Sequence, residues 1–121
     1  MKGLLLATLI LAGTTTAKVA DVLKTPAKYD GKAIVVKGKV DRFKLKTSKA
    51  GHDYTTFDLV DGKTKLAVYL GNKLDKPVKD GDAVTVTGKF AASRKVGDRT
   101  FTNEIDASSR LDKSFGVKAG K

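Results

Sequence analysis

The chain has 121 residues, no cysteine and a formal net charge of +11, with 24 Lys and Arg against 13 Asp and Glu. That length suits one domain. The missing thiols exclude disulfides and cysteine-based metal or redox chemistry, and the cation excess favours polyanions such as nucleic acid, anionic lipid headgroups or acidic glycans. A lysine-rich surface with no specific partner satisfies the same numbers.

The first element in chain order is a leader. Lys2 precedes an apolar run from Gly3 to Ala12, and Thr15 and Ala17 place small residues three and one positions before a cut. This is the pattern of a Sec-type signal peptide cleaved after Ala17. The run is too short for a bilayer span, which takes about 20 apolar residues. The expected address is therefore periplasmic or secreted. A lipoprotein signal would carry Cys after Ala12-Gly13; Thr14 stands there, which excludes lipidation at this site. Loss of Lys2 leaves about +10 on the remainder. The expected division is a signal peptide over 1–17, a domain over 18–110 and a basic flexible tail over 111–121.

Val19, Val22 and Leu23 recur at helical spacing. Thr25-Pro26 reads as an N-cap and first helical position that restart a second short turn, which Asp30-Gly31 ends. After Gly31 the period becomes two. Ile34, Val36, Gly38 and Val40 share one face of a strand that extends toward Phe43 and Leu45, while Val35, Lys37, Lys39 and Asp41 share the other. A polar loop over 46–53 leads to "YTTFDLV", closed by the turn Asp61-Gly62-Lys63. "TKLAVYL" is a third strand. The segment 71–82 carries turn residues, with Pro77 among them. "AVTVTGKFAA" is a fourth strand, "SRKVGD" a loop, and "RTFTNEIDAS" a fifth strand with Phe101, Asn103, Ile105 and Ala107 on one face. No long crossover helix interrupts this series, so antiparallel pairing is expected. Five short strands hide their edges by closing into a barrel.

Two of these strands share a pattern. "IVVKGKV" and "VTVTGKF" both run apolar, any residue, Val, polar, Gly, Lys, apolar. With "FDLVDG", "LAVYL" and "FTNEIDA" in this order, the chain from Val19 to Ala107 resembles the OB-fold superfamily. It is most similar there to the anticodon-binding-like OB domains and the small exported bacterial OB-fold (BOF-type) proteins. The resemblance implies an all-β, five-stranded antiparallel Greek-key barrel preceded by a short N-terminal helix, with Gly38 and Gly88 where strands one and four bend to close it. The segment before the fourth strand departs from the family, whose helix there is longer.

The resemblance also implies a ligand path across the outer face of strands two and three, flanked by the loops joining strands one to two and four to five. Tyr54, Thr56, Asp58, Lys65, Ala67 and Tyr69 would stand on that face, with the tyrosines as stacking groups. Lys44, Lys46, Lys49 and His52 from the first loop, Arg94, Lys95 and Arg99 from the second, and Lys37 and Lys39 from strand one would converge on one basic groove and neutralise several phosphates. The plainer readings are cross-strand tyrosine packing and lysines that guard strand edges.

No cofactor, metal or catalysis is expected. His52 is the single histidine, and the Asp-Gly turns lack the spacing of a calcium loop. Asp58, Asp61, Glu104 and Asp106 have no nucleophile or base partner to make a reaction site. The calcium cluster of the staphylococcal-type nucleases, an exported OB-fold enzyme type, has no counterpart motif. The expected function is an exported, non-enzymatic protein that binds an extended polyanion such as single-stranded nucleic acid. The alternative is a periplasmic envelope or stress-related module that binds peptide or cell-wall glycan.

Overall fold

A computed structural model of the chain describes residues 14–72, 74 and 76–119. Most of the leader expected over 1–17, and the last two residues of the expected tail, lie outside them. The elements in chain order are β1 (Thr14–Ala17), α1 (Val19–Lys24), α2 (Pro26–Tyr29), β2 (Ala33–Thr47), β3 (Asp53–Asp61), β4 (Thr64–Leu70), β5 (Ala83–Val96), β6 (Arg99–Asp106) and β7 (Gly116–Ala119).

All strands belong to one sheet of order β1-β2-β3-β4-β6-β5-β7, and an extra β2–β5 pairing closes it. β2, β3, β4, β6 and β5 therefore form a five-stranded barrel. Its pairings are antiparallel except β4–β6, which run parallel from Ala67↔Glu104 to Tyr69↔Asp106. The alternation predicted for the strands holds where the barrel is closed. Ile34, Val36, Val40, Phe57, Leu59, Leu66, Val68, Leu70, Val84, Val86, Phe90 and Ile105 are buried inside it. Val19 and Val22 of α1 are fully buried in the same core, and α1 packs on β2, β3 and β4. Among the described residues, no helix lies between β4 and β5.

Gly38 and Gly88 sit where the barrel closes. A Cβ on Gly88 would lie 2.5 Å from the Asp106 carbonyl oxygen, and one on Gly38 would lie 2.7 Å from that of Val60. The repeated Val-polar-Gly-Lys pattern is thus a steric demand made by two strands of one barrel.

Several sequence expectations need correction. Thr25 does not cap α2 through its side chain; its hydroxyl turns back to donate to the Asp21 carbonyl. β1, the described part of the expected leader, is an edge strand in parallel register with Ala33–Val36, which leaves the signal-peptide reading as it stands. The tail is not free along its length, because Gly116–Ala119 pairs antiparallel with Val84–Thr87. The expected loop "SRKVGD" is mostly strand: β5 and β6 continue as a hairpin to Val96↔Arg99, turning at Gly97 with φ +61°. Lys44, Lys46 and Thr47 likewise pair with Thr56, Tyr54 and Asp53, so the first loop shrinks to 48–52. For the tail, the hairpin and the first loop, ladder bonds to a neighbouring strand outweigh polar composition.

Candidate functional site

A register shift sets up the outer face. β2 carries a bulge between Asp41 and Lys44, with Arg42 in the left-handed region at φ +54°. One extra residue flips every side chain beyond it. Phe43 therefore turns inward onto Phe57, with ring centroids 6.5 Å apart. Lys44 and Lys46 turn outward opposite Thr56 and Tyr54. The next strand continues the row, since Thr56 pairs with Tyr69 of β4.

Tyr54 and Tyr69 meet with centroids 5.8 Å apart, tilted by 36°. The β5–β6 hairpin extends this pair into a ladder. The Arg94 guanidinium lies 5.7 Å from the Tyr69 centroid and 5.3 Å from that of Phe101, and Arg99 lies 5.3 Å from Phe101 on its own account. Arg94 is held in place by Glu104, whose Oε1 accepts from Nε at 3.0 Å and from Nη2 at 2.7 Å. Asn103 adopts a left-handed φ of +52° just before Glu104. This breaks the alternation of β6, so the consecutive residues Glu104 and Ile105 are both buried. Phe101 and Glu104 thereby reach the same guanidinium. Asn tolerates that conformation better than most residues.

The face is less uniformly basic than the sequence implied. Asp58 draws in Arg42 at 3.7 Å and Lys65 at 3.9 Å. Lys44, Lys46, Lys95, Arg99 and Arg110 make no ion pair among the described residues. Lys37 and Lys39 do not join the tyrosines. They line a separate groove of about 510 Å³ with Gly62 and Ala83. Lys39 lies opposite Val60, six positions along β3 from Tyr54, which is roughly 20 Å of strand. Beside the tyrosines lies a cavity of about 380 Å³ lined by Ser48, His52, Asp53, Tyr54, Tyr69, Gly71 and Arg110.

Tyr54, Thr56, Lys44, Lys46, Tyr69, Arg94 and Arg99 are thus brought to one surface, and Lys95 pairs with Thr100 farther along the hairpin. Phe101, Glu104 and Arg110 were missed. Simple alternation put Phe101 on one face with Ile105 and Ala107, and the left-handed residue that separates them is not visible in a two-residue period. The Asn at 103, inside an otherwise regular strand, was the available signal.

The family model of the CcmE domain matches residues 14–104. The chain belongs to the CcmE domain family. No curated protein matches it in sequence. Among solved structures, this CcmE domain is similar to the SSB of Plasmodium falciparum in complex with ssDNA, at 16% identity and a TM-score of 0.54 over 74% of this chain and 94% of that one. It is similar to yeast Stn1 and Ten1 at 13% identity and a TM-score of 0.60, over 92% of this chain and 65% of that one. It is also similar to an OB domain from Thermoplasma acidophilum, at 15% identity and a TM-score of 0.50 over 88% and 87%. At these identities the likenesses establish the fold: the CcmE domain here is an OB-fold barrel.

Proposed function

We propose that this CcmE domain is a binding module without catalytic chemistry, and that it seats an extended polyanion, single-stranded nucleic acid in the first place, on the Tyr54–Tyr69–Arg94–Phe101 ladder. The ladder carries the reading. Aromatic planes interleaved with guanidinium planes offer successive stacking surfaces to bases, and Lys44, Lys46 and Arg99, which make no ion pair among the described residues, supply charge to a phosphate backbone. The likeness to an SSB that holds ssDNA supports the same choice.

A fluorescently labelled oligothymidylate of about a dozen nucleotides, a length that spans one OB barrel, tests it by anisotropy. Neutralising three to five phosphates is expected to give a slope of log affinity against log salt of about −2 to −3.5. Absence of binding at low salt overturns the reading. A peptide or cell-wall glycan ligand would instead bind with little dependence on salt.

Haem is the second reading, because CcmE itself is a haem chaperone and His52 opens onto the cavity beside Tyr54 and Tyr69. Haem iron takes His, Cys, Met or Tyr as axial ligand. The chain has no Cys, and its single His fits one such position. A haemin titration decides the point: a shifted Soret band that His52→Ala abolishes favours haem over nucleic acid.

We also propose that the domain is exported by a signal peptide cut after Ala17, as the n-region, apolar run and small residues imply. The cut removes β1 and leaves Ala33–Val36 with β5 as its partner strand. The intact mass of the protein recovered from a Sec-competent host is expected to correspond to a chain starting at Lys18. Retention of the leader contradicts export.

A further inference from the structure

At one end of the ladder, past Tyr54, the surface deepens into the cavity shared by Tyr54, Tyr69, His52 and Arg110. Its walls are fixed by hydrogen bonds. On one side, the Ser48 amide donates to the His52 carbonyl at 2.8 Å and the His52 amide donates to Ser48 Oγ at 3.2 Å, which closes the 48–52 loop on itself. On the other, the Gly71 amide donates to Ser108 Oγ at 2.7 Å, and Ser108 Oγ donates to Asp106 Oδ1 at 2.5 Å. Ser108 is fully buried, so this pair anchors the chain two residues before Arg110.

Gly71 is what lets the guanidinium in. β3 and β4 pair Thr55 with Leu70, so Gly71 is the next position in line with Tyr54. A Cβ there would lie 3.2 Å from Arg110 Nε and 3.3 Å from Ser108 Oγ. Without one, the guanidinium rests across the strand end. Arg94 is neutralised by Glu104, whereas Arg110 has no carboxylate partner among the described residues. The one acid in the lining, Asp53, accepts from Thr47 Oγ1 at 2.8 Å. The cavity of about 380 Å³ is ample for a phosphate group. The guanidinium of Arg110, planar and suited to bidentate phosphate contact, lies in its wall beside Gly71, with His52, Tyr54 and Tyr69 among the other lining residues.

We propose that this cavity is a phosphate subsite that seats the terminal phosphate of a single-stranded oligonucleotide whose last base lies on the Tyr54–Tyr69 pair. The inference rests on the nucleic-acid reading and makes it specific: the ladder has an end, and Arg110 marks it.

Three pentathymidylates test it, one with a 5′-phosphate, one with a 3′-phosphate and one with neither. Intrinsic tyrosine fluorescence reports binding, because the chain has no Trp and two of its three Tyr form the platform. One phosphorylated form is expected to bind about tenfold more tightly than the unphosphorylated form, the effect of one charge-assisted contact. Arg110→Met is expected to erase that preference, and Lys63→Met, in the turn between β3 and β4, to leave it intact. Equal affinity for all three, or a preference that survives in Arg110→Met, overturns the subsite while the nucleic-acid reading stands. If none of the three binds at low salt, both fall together.

Discussion

Gly88→Ala is expected to lower the melting temperature by more than 10 °C, the largest effect of any single methyl group added to this protein. The new Cβ would lie 2.5 Å from the Asp106 carbonyl oxygen, 2.7 Å from Ile105 Cγ2 and 2.9 Å from Ala107 Cα. Two of those three atoms are backbone, so no rotamer change relieves the clash. β5 would have to move away from β6 at the Lys89↔Asp106 pair, next to the fully buried Phe90 and Ile105. Overpacking of a core costs about 1–3 kcal/mol, and backbone collision places this case at or above the upper end. Each kcal/mol shifts the melting temperature of a domain this size by about 4–8 °C. Gly38→Ala is expected to cost less, because two of its three contacts are Leu59 side-chain atoms at 3.0 Å. Gly62→Ala meets nothing within 4 Å and bears only its φ of +63°, about 1 kcal/mol. Thermal melts followed by circular dichroism check the order Gly88, Gly38, Gly62. If Gly88→Ala melts with Gly62→Ala, barrel closure does not depend on that contact.

The barrel was readable because its signals are local and repeated. Gly38 and Gly88 announce the two tight crossings, and two-residue alternation sorts Phe57, Leu59, Leu66 and Val68 from Thr56, Asp58, Ala67 and Tyr69. Even the bulge left a trace. The apolar positions of β2 change parity from Ile34, Val36 and Val40 to Phe43 and Leu45, and only an inserted residue lets both sets face one side. What alternation cannot carry is pairing across sequence distance. β1 and β7 are four-residue strands whose partners lie in β2 and β5, and nothing in "TTTA" or "GVKA" specifies those partners. The groove was half legible for the same reason. Tyr54 and Tyr69 follow from strand parity and Arg94 from its charge beside the fifth strand, but the stacking of Arg94 on Phe101 depends on how far a hairpin extends and on one left-handed Asn. Lys37 and Lys39 were misplaced because outward-facing residues on a closed barrel point in every direction around it. Sharing the outer surface does not mean sharing a groove.

Arg94→Lys should weaken oligonucleotide binding about as much as Arg94→Met, roughly five- to tenfold, with no change in the salt slope. The charge of Arg94 is already compensated by Glu104, whose side chain is only 10% exposed and sits 2.7 Å from Nη2. What Arg94 offers a ligand is therefore its plane, held between Tyr69 and Phe101. A lysine keeps the positive charge beside Glu104 but loses the flat fork that two nitrogens present to one carboxylate oxygen, and it loses the stacking face. Tyr69→Ala removes the ring that touches both Tyr54 and Arg94 and is expected to cost tenfold or more, since one stacked base contributes about 1–3 kcal/mol. Lys44→Met and Lys46→Met should behave in the opposite way. Each sits exposed on the outer row of β2 without an ion pair among the described residues. Each is expected to flatten the salt slope by about 0.7 with a smaller loss of affinity at fixed salt. Anisotropy titrations at four or so salt concentrations, paired with melts to confirm folding, separate the two classes. If Arg94→Lys binds like the parent while the lysine variants lose binding, the ladder is scaffolding and charge alone holds the ligand.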